Sequence, residues 1–410
     1  MTVRQSILFV HNGRGLGGAP KSLRYAIEAC VKAGYTCSVA CLECPDTNPY
    51  FRAAGAEVIV LDSLPYYTYS GPSIHKPGSK RFQEEREFAA QYAAFWRDLM
   101  GKHGPFSLVF INSMVLCDLI KPSQEAGSRV IQMVRETAQP GLFFEIMRGT
   151  IAKADAVLFI SEYDRDLFSL NSTKVMVLPN SENPELFSCT PGERIALRKQ
   201  CGLHDDDTVL IFTGGDGFIK GGDLMLEGLL RVNHNSRIVL LYAGYSGQAP
   251  GRGMKPWVKR LLGRIVRSPR FQQERTARLL SKIERMKSVR VKHLGFCRDI
   301  AQYYKMADVC MVPYREPHQA RPIFEAGMAK IPCLVTDFPC FRDEVTDGDN
   351  GYLLPVSDPD AWARAIEKFI IDPDKRRQMG ASNYQQAMTR HDVRRNAEKL
   401  LVLINGVLSA

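Results

Sequence analysis

The residues of this 410-residue chain that could do chemistry concentrate in VPYREPHQARPIFEAGMAK, residues 312–330. An apolar strand pattern, ADVCMVPY, ends beside an acid, Glu316, and a helical pattern then carries Glu325, with Arg321 at its start. In a parallel α/β sheet, ligands sit at the carboxyl ends of strands, where helix N-termini offer unpaired N–H groups to anions. A glutamate one turn inside such a helix does not favour the phosphates, but it accepts hydrogen bonds from ribose hydroxyls nearby. That combination suits a nucleoside diphosphate. A buried amphipathic helix with a capping acid would explain Glu325 alone just as simply.

Two glycine turns could cradle the phosphates. SILFVHN leads into GRGLGGAP and the helical KSLRYAIEACVKAG, and TVLIFTG leads into GDGFIKGG and the helical DLMLEGLLRV. The first turn contains Gly13-x-Gly15-x-x-Gly18, and Glu43 ends the next strand, which is formally a dinucleotide fingerprint. An NAD-dependent oxidoreductase is therefore one reading. It leaves the second glycine turn and the Glu325 region unexplained. The second turn carries Lys220, a cation that could meet a diphosphate or merely cap a surface turn.

The elements that must position these residues read as two doubly wound α/β domains. Further strand patterns are TCSVACLE, AEVIVLD, FSLVFIN, SRVIQMV, ADAVLFIS and KVMVLPN, then RIVLLYAG, VRVKHLG, ADVCMVPY, PCLVTD and GYLLP. The expected boundaries are 1–181 for the first domain, 182–384 for the second, and 385–410 for a closing helical segment. SENPELFSCTPGER reads as the linker, and two helices are expected after Pro359, the last spanning Val393–Leu408. The length asks for two cores. A hydrophobic share of 45% with 24% charged residues is ordinary for a water-soluble chain. No apolar run is long enough to cross a bilayer, and ILFV is too short for a signal peptide, so a cytoplasmic location is expected.

Eleven cysteines include only the lone pair Cys41-x2-Cys44, without a second pair at zinc spacing. No metal site is read here. The segment from Arg252 to Lys292 holds fourteen Lys and Arg against two acids, a local charge of +12 in a chain of net +10. Trp257, Leu261, Leu262, Ile265 and Val266 recur beside these charges at helical spacing. A basic amphipathic helix with a tryptophan suits an anionic membrane surface, which would make the chain peripheral on the inner membrane face. A solvated helical excursion packed on its own domain is the alternative. Nucleic acid fits less well, because aromatic residues for stacking are sparse.

The chain resembles family 4 glycosyltransferases of the GT-B fold, on Gly295-Phe296, Ala307-Asp308-Val309, Pro313-Tyr314, Glu316, Glu325-Ala326, Pro332-Cys333 and Asp347-Gly348-Asp349-Asn350-Gly351. The resemblance covers nearly the whole length and is weakest between about Pro65 and Gly104. It implies two Rossmann-like domains facing each other across a cleft, the first for the acceptor and the second for a nucleotide-sugar donor. It also implies a basic insertion at 245–290, and a C-terminal helix crossing back to the first domain. The implied activity is a retaining, metal-independent sugar transfer to a glycan or lipid-linked glycan, with the nucleotide-sugar as substrate and no cofactor.

By the same resemblance Gly17, Gly18, Gly214, Lys220 and Glu325 bind the donor, and Lys220, Glu316 and Arg321 act on the reacting groups. Asn112, Arg135 and Glu136 lie on the acceptor side. The chain departs from the family in three places. Gly215 stands where an arginine is usual, and Arg321 is the candidate replacement cation. Glu316 is one residue out of the usual register with Glu325, and Lys330 replaces a usual glycine. A weakened GT-B protein acting as a binding or scaffold partner, or an epimerase, is the alternative these departures open. Asp347-Gly348-Asp349 resembles a metal-binding D-x-D, but in a glycine turn of a GT-B chain it is not read as one.

Overall fold

The computed structural model describes residues 5–13, 15–67, 78–137, 141–171, 174–233, 237–244, 269–286, 288–297 and 299–410. They form two compact units, Met1–Glu182 with Val393–Ala410, and Asn183–Asp392.

The first unit is built on a seven-stranded parallel sheet of β1 (Ser6–His11), β2 (Thr36–Leu42), β3 (Glu57–Leu61), β4 (Leu108–Ile111), β5 (Arg129–Val134), β6 (Ala156–Phe159) and β7 (Lys174–Val177). Their spatial order is β3-β2-β1-β4-β5-β6-β7. Because side chains alternate across a strand, β1 feeds two cores. Leu8 and Val10 join one with Trp96, Met147 and Phe159, while Ile7 and Phe9 join the other with Leu23, Ile27 and Leu400. Both faces are covered, and near-continuous apolar strands follow from that. The strand order reverses between β1 and β4, so the carboxyl ends of those two strands diverge into a crevice suited to a ligand.

The second unit repeats the plan with six strands: β8 (Thr208–Phe212), β9 (Ile238–Ala243), β10 (Val289–Gly295), β11 (Val309–Val312), β12 (Cys333–Thr336) and β13 (Gly351–Leu354). The order β10-β9-β8-β11-β12-β13 puts its switch point between β8 and β11. Asp308, of the Ala-Asp-Val motif, is a framework residue here. Its carboxylate accepts from the Val209 N–H at 2.8 Å and from Arg194 and Arg198 at 2.8 and 2.7 Å, joining β8 and β11 to the preceding helix.

Three expectations are corrected. The end of the supposed linker is the first turn of a helix, Pro191–Gln200. Thr190 and Glu193 close a reciprocal capping box there, and Pro191 takes the first helical position. Three helices, not two, follow Pro359: Pro359–Ile371, Pro373–His391 and Val393–Leu408. Asp372 ends the first of these and its carboxylate caps the second at the Lys375 N–H. The return to the first unit therefore starts at Val393 and not at 385, since residues 385–391 complete a helix of the second unit. Leu400, Ile404 and Val407 then bury in the first unit's core.

Trp257 and residues 245–268 of the basic insertion lie outside the described residues. The insertion's described end is the Pro269–Ile283 helix, whose Leu279, Leu280 and Ile283 join the second unit's core. Arg275 there pairs with Asp223 at 3.0 Å and Glu227 at 2.7 Å. No helix among the described residues is long and apolar enough to cross a membrane.

Candidate active site

At the β8–β11 switch point, the second glycine turn folds back against the end of β11. Gly221 has φ +64, and a Cβ there would lie 1.7 Å from the Pro313 carbonyl oxygen. Only glycine permits that approach. The contact seats the turn. The Arg315 N–H donates to the Ile219 carbonyl at 2.9 Å, and the Arg315 guanidinium reaches Asp223 at 2.8 Å. Gly214, against the Phe212 ring and the Lys220 stem, starts the turn.

Lys220 is thereby held over Tyr314. Its Nζ donates to the Tyr314 hydroxyl at 3.0 Å and lies 4.1 Å from the ring centroid. Tyr314 is buried and packs edge-on against Phe341. Burial lowers the Lys220 ammonium to about 8, because no carboxylate among the described residues contacts it to repay the desolvation. A half-buried ammonium with a phenol ring as its neighbour is suited to meet an arriving anion.

The Arg321–Met328 helix follows β11, with Arg321 at its first position and Pro322 next. Arg321 Nε donates to Glu325 Oε1 at 3.2 Å, and both side chains are largely buried. The candidate replacement cation is thus paired with the candidate ribose acceptor. Glu325 Oε2 has no hydrogen bond among the described residues. Phe324 stacks on His391 at 4.1 Å, and His391 in turn bonds Glu344 at 2.7 Å, which fixes the rear of the helix. Glu316 sits partly buried at the end of β11, and His318 lies 6.1 Å from Tyr314, ring to ring.

Gly215 has φ +66, and a Cβ on it would lie 2.7 Å from the Gly244 carbonyl oxygen. The position where an arginine is usual is here a backbone position that rejects side chains. Lys330, by contrast, keeps the left-handed backbone of the glycine it replaces, at φ 60. Asp347 and Asp349 tie their turn to the framework: Asp347 accepts from the Leu353 N–H of β13 at 2.9 Å, and Asp349 from the Ser382 hydroxyl of the Pro373–His391 helix at 2.8 Å.

The β1–β4 switch point of the first unit opens into a cavity of about 450 Å³. Gly13, Gly15, Gly17, Gly18, His11, Asn112, Ser113, Arg135 and Glu136 are among its walls. Gly17 and Gly18 are therefore brought together with the acceptor-side trio, while Gly214, Lys220, Glu316, Arg321 and Glu325 belong to the other unit. Arg135 Nε donates to Asn112 Oδ1 at 2.6 Å, and its Nη1 to Asn180 Oδ1 at 2.8 Å. Glu136 is engaged within the wall: Ser113 Oγ donates to one oxygen, and the N–H groups of Met114 and Arg135 donate to the other at 3.1 and 3.0 Å. Behind the loop, the Gly15 N–H donates to Cys44 Sγ at 3.3 Å. Among the described residues, no group of three or more His, Cys, Asp or Glu gathers to hold a metal.

Two residues of these sites carry no role in the sequence reading. Tyr314 enters it only as part of the Pro313-Tyr314 motif at the end of a strand pattern. His11 ends β1 inside an apolar run, and its only signal was its place at the carboxyl end of the strand before a glycine turn.

Two doubly wound parallel sheets, each with a glycine turn at its switch point, make this a GT-B protein. Residues 193–386 match the family described as glycosyl transferases group 1. HepE of Anabaena in complex with UDP superimposes with a TM-score of 0.72 at 18% identity, over 98% of this chain and 100% of that one. The sucrose-phosphate synthase of Thermosynechococcus elongatus does so with a TM-score of 0.73 at 18% identity, over 99% and 100%. At such identities the likeness carries the fold. A D-inositol 3-phosphate glycosyltransferase of Stackebrandtia nassauensis is 24% identical over 249 residues, 58% of this chain and 51% of the relative. The chain spans about half the length of the curated relatives it matches.

Proposed function

We propose that the chain is a glycosyltransferase that moves a sugar from a nucleotide-sugar donor to a hydroxyl of a carbohydrate or glycolipid acceptor, with retention and without a metal. The observation that carries this reading is Lys220, a half-buried ammonium with no carboxylate contact among the described residues, at the β8–β11 switch point within the family-matched segment. As the glycosidic bond breaks, negative charge develops on the leaving diphosphate. A preorganised donor at that spot is typically worth about 3–4 kcal/mol of barrier. Glu325 offers Oε2 to the ribose while Oε1 holds Arg321. In same-face substitution the leaving diphosphate takes the acceptor hydroxyl's proton, so no protein nucleophile is needed. UDP in the HepE complexes supports a uridine donor as the first to try. The relatives named for D-inositol 3-phosphate support a phosphorylated polyol among the acceptors.

A catalytically weakened GT-B binding protein is the second reading, favoured by the side-chain-free position at Gly215. The test is a screen of nucleotide-sugars by thermal shift and nucleotide release. A ligand at a hundred times its dissociation constant stabilises by about 2.7 kcal/mol. Binding with release supports the enzyme, and binding without release supports the second reading. Glu325→Ala removes a charged acceptor worth about 1.5–3 kcal/mol, and nucleotide affinity unchanged within about twofold would refute the ribose role.

A further inference from the structure

Asp223 lies in the first turn of the Gly222–Leu229 helix, directly after the glycine turn that carries Lys220. An acid there suits the helix dipole, and for that purpose it could stand in water. Instead its side chain is 1% exposed and meets two guanidinium groups from two different elements. Arg315, just after β11, donates from Nε to Oδ1 at 3.2 Å and from Nη2 to Oδ2 at 2.8 Å. Arg275, on the Pro269–Ile283 helix, reaches Oδ2 through Nε at 3.0 Å and Glu227 through Nη2 at 2.7 Å. A carboxylate buried this deeply is tolerated only when its charge is compensated. Two cations balance two acids here, and removal of Arg275 would leave the group one charge negative.

Arg315 is also what moulds the turn. Its N–H donates to the Ile219 carbonyl at 2.9 Å, and its guanidinium lies 5.5 Å from the Phe218 ring centroid. Its neighbour Tyr314 accepts from the Lys220 ammonium at 3.0 Å. A side chain as long as arginine has many rotamers to lose, and Asp223 selects one of them. Asp223 is in turn tied to Arg275. A continuous set of bonds therefore runs from the helix that ends the basic insertion, through Asp223, Arg315 and Tyr314, to Lys220. It requires no contact between Arg275 and any substrate.

We propose that Arg275 and Arg315 are positioning residues for Lys220: by sharing the Asp223 carboxylate they hold the glycine turn in the shape that presents its ammonium. The helix that ends the basic insertion is then a strut of the donor side. The proposal deepens the reading of the chain as a glycosyltransferase and rests on it for what Lys220 does, whereas the strut rests on the bonds alone.

Arg275→Ala in the full chain is the perturbation. Arg278→Ala is the control, since Arg278 lies on the same helix, is 70% exposed and pairs with Glu274 at 3.6 Å. Hydrogen exchange read by mass spectrometry needs no substrate. In Arg275→Ala the amides of residues 215–224 should exchange roughly tenfold faster or more, as expected when a bond between charged groups is lost, while β9 and β12 exchange as in the parent. Release of UDP from UDP-glucose reads the consequence. Its kcat should fall about ten- to a hundredfold, as for a displaced catalytic group, with KM nearly unchanged. Arg275→Lys keeps a cation beside Asp223 without the fork that also reaches Glu227, and should recover part of both losses. In a Lys220→Ala background the kcat loss from Arg275→Ala should shrink to about twofold or less, because the two residues act as one unit. Equal losses in both backgrounds, or exchange that quickens across the whole unit, would make Arg275 a general prop of the fold and overturn the proposal. Where Arg275→Ala melts too low to assay, Arg275→Gln, which keeps much of the side chain and drops the charge, decides by the same readings. If the turn loosens selectively but the parent releases nucleotide from no donor of the screen, the strut stands and the transferase reading fails. If the parent turns over and neither exchange nor kcat responds to Arg275→Ala, the transferase reading stands and the strut falls.

Discussion

Restoring the usual arginine at position 215 looks like a simple way to raise activity, and the backbone argues that it will fail. Gly215 has φ +66, where a residue with a Cβ is disfavoured by about 1–2 kcal/mol. The Cβ would also sit 2.7 Å from a backbone oxygen, that of Gly244, which cannot rotate away as a side chain would. Relief requires the turn to shift, and overpacking of this kind typically costs about 1–3 kcal/mol. The shift would also disturb the bonds from Tyr242 Oη to the Gly215 carbonyl at 2.7 Å and from the Gly215 N–H to Ala243 at 3.1 Å. Gly215→Arg and Gly215→Ala should therefore lose roughly 2–5 kcal/mol, which for a unit of this size lowers Tm by on the order of 5–15 °C. Gly217→Ala is the control. Its φ is −73 with no atom within 4 Å of the added Cβ, so it should change stability by less than about 1 kcal/mol. Calorimetric melts of the three variants, with nucleotide release measured alongside, make the comparison. If Gly215→Arg melts with the parent and turns over faster, the turn is compliant and the strain argument is wrong.

In the proposed role Lys220 acts as a cation, so activity should need its proton: with a free-protein pKa of about 8, kcat/KM should fall about tenfold per pH unit above that point. In the complex the diphosphate raises the pKa, so the kcat limb should move to higher pH; a flat profile through pH 10 would exclude Lys220 from the reaction. Because Arg321 holds Glu325, Arg321→Ala should weaken nucleotide binding as well as turnover, whereas Lys220→Ala should mainly slow turnover; equal binding constants for Arg321→Ala and the parent would show the pair to be inert. The basic segment should carry the protein onto anionic vesicles at low salt and release it at 1 M, where the screening length is about 3 Å; equal pelleting with neutral and anionic lipid would mark a solvated face.

Much of this was legible because short-range rules dominate it. Strands such as FSLVFIN and PCLVTD are buried on both faces, so their apolar runs name them, and Pro322 with Glu325 announces a helix directly after a strand. The candidate site was less legible, since its meaning lies in pairings across the fold. Nothing local says that Arg321 spends its charge on Glu325, or that Glu136 is absorbed by Ser113 and two backbone N–H groups. His11 is bonded to Asn112, just after β4, which in turn accepts from Arg135, just after β5, all far apart in sequence. Gly215 looked like a missing arginine, and its backbone angle makes it a required glycine.

The closing helix places a constraint on synthesis. Leu400, Ile404 and Val407 fill a core otherwise made largely of β1, β2, β4, β5, β6 and the Gly18–Lys32 helix. That face stays uncovered while the ribosome makes the whole of Asn183–Asp392. At about 5–20 residues per second this takes on the order of ten seconds or more. Throughout that interval the nascent first unit exposes the greasy seat of a helix not yet translated. It is the interval in which a chaperone would find most to hold, and in which a translation pause would extend the exposure.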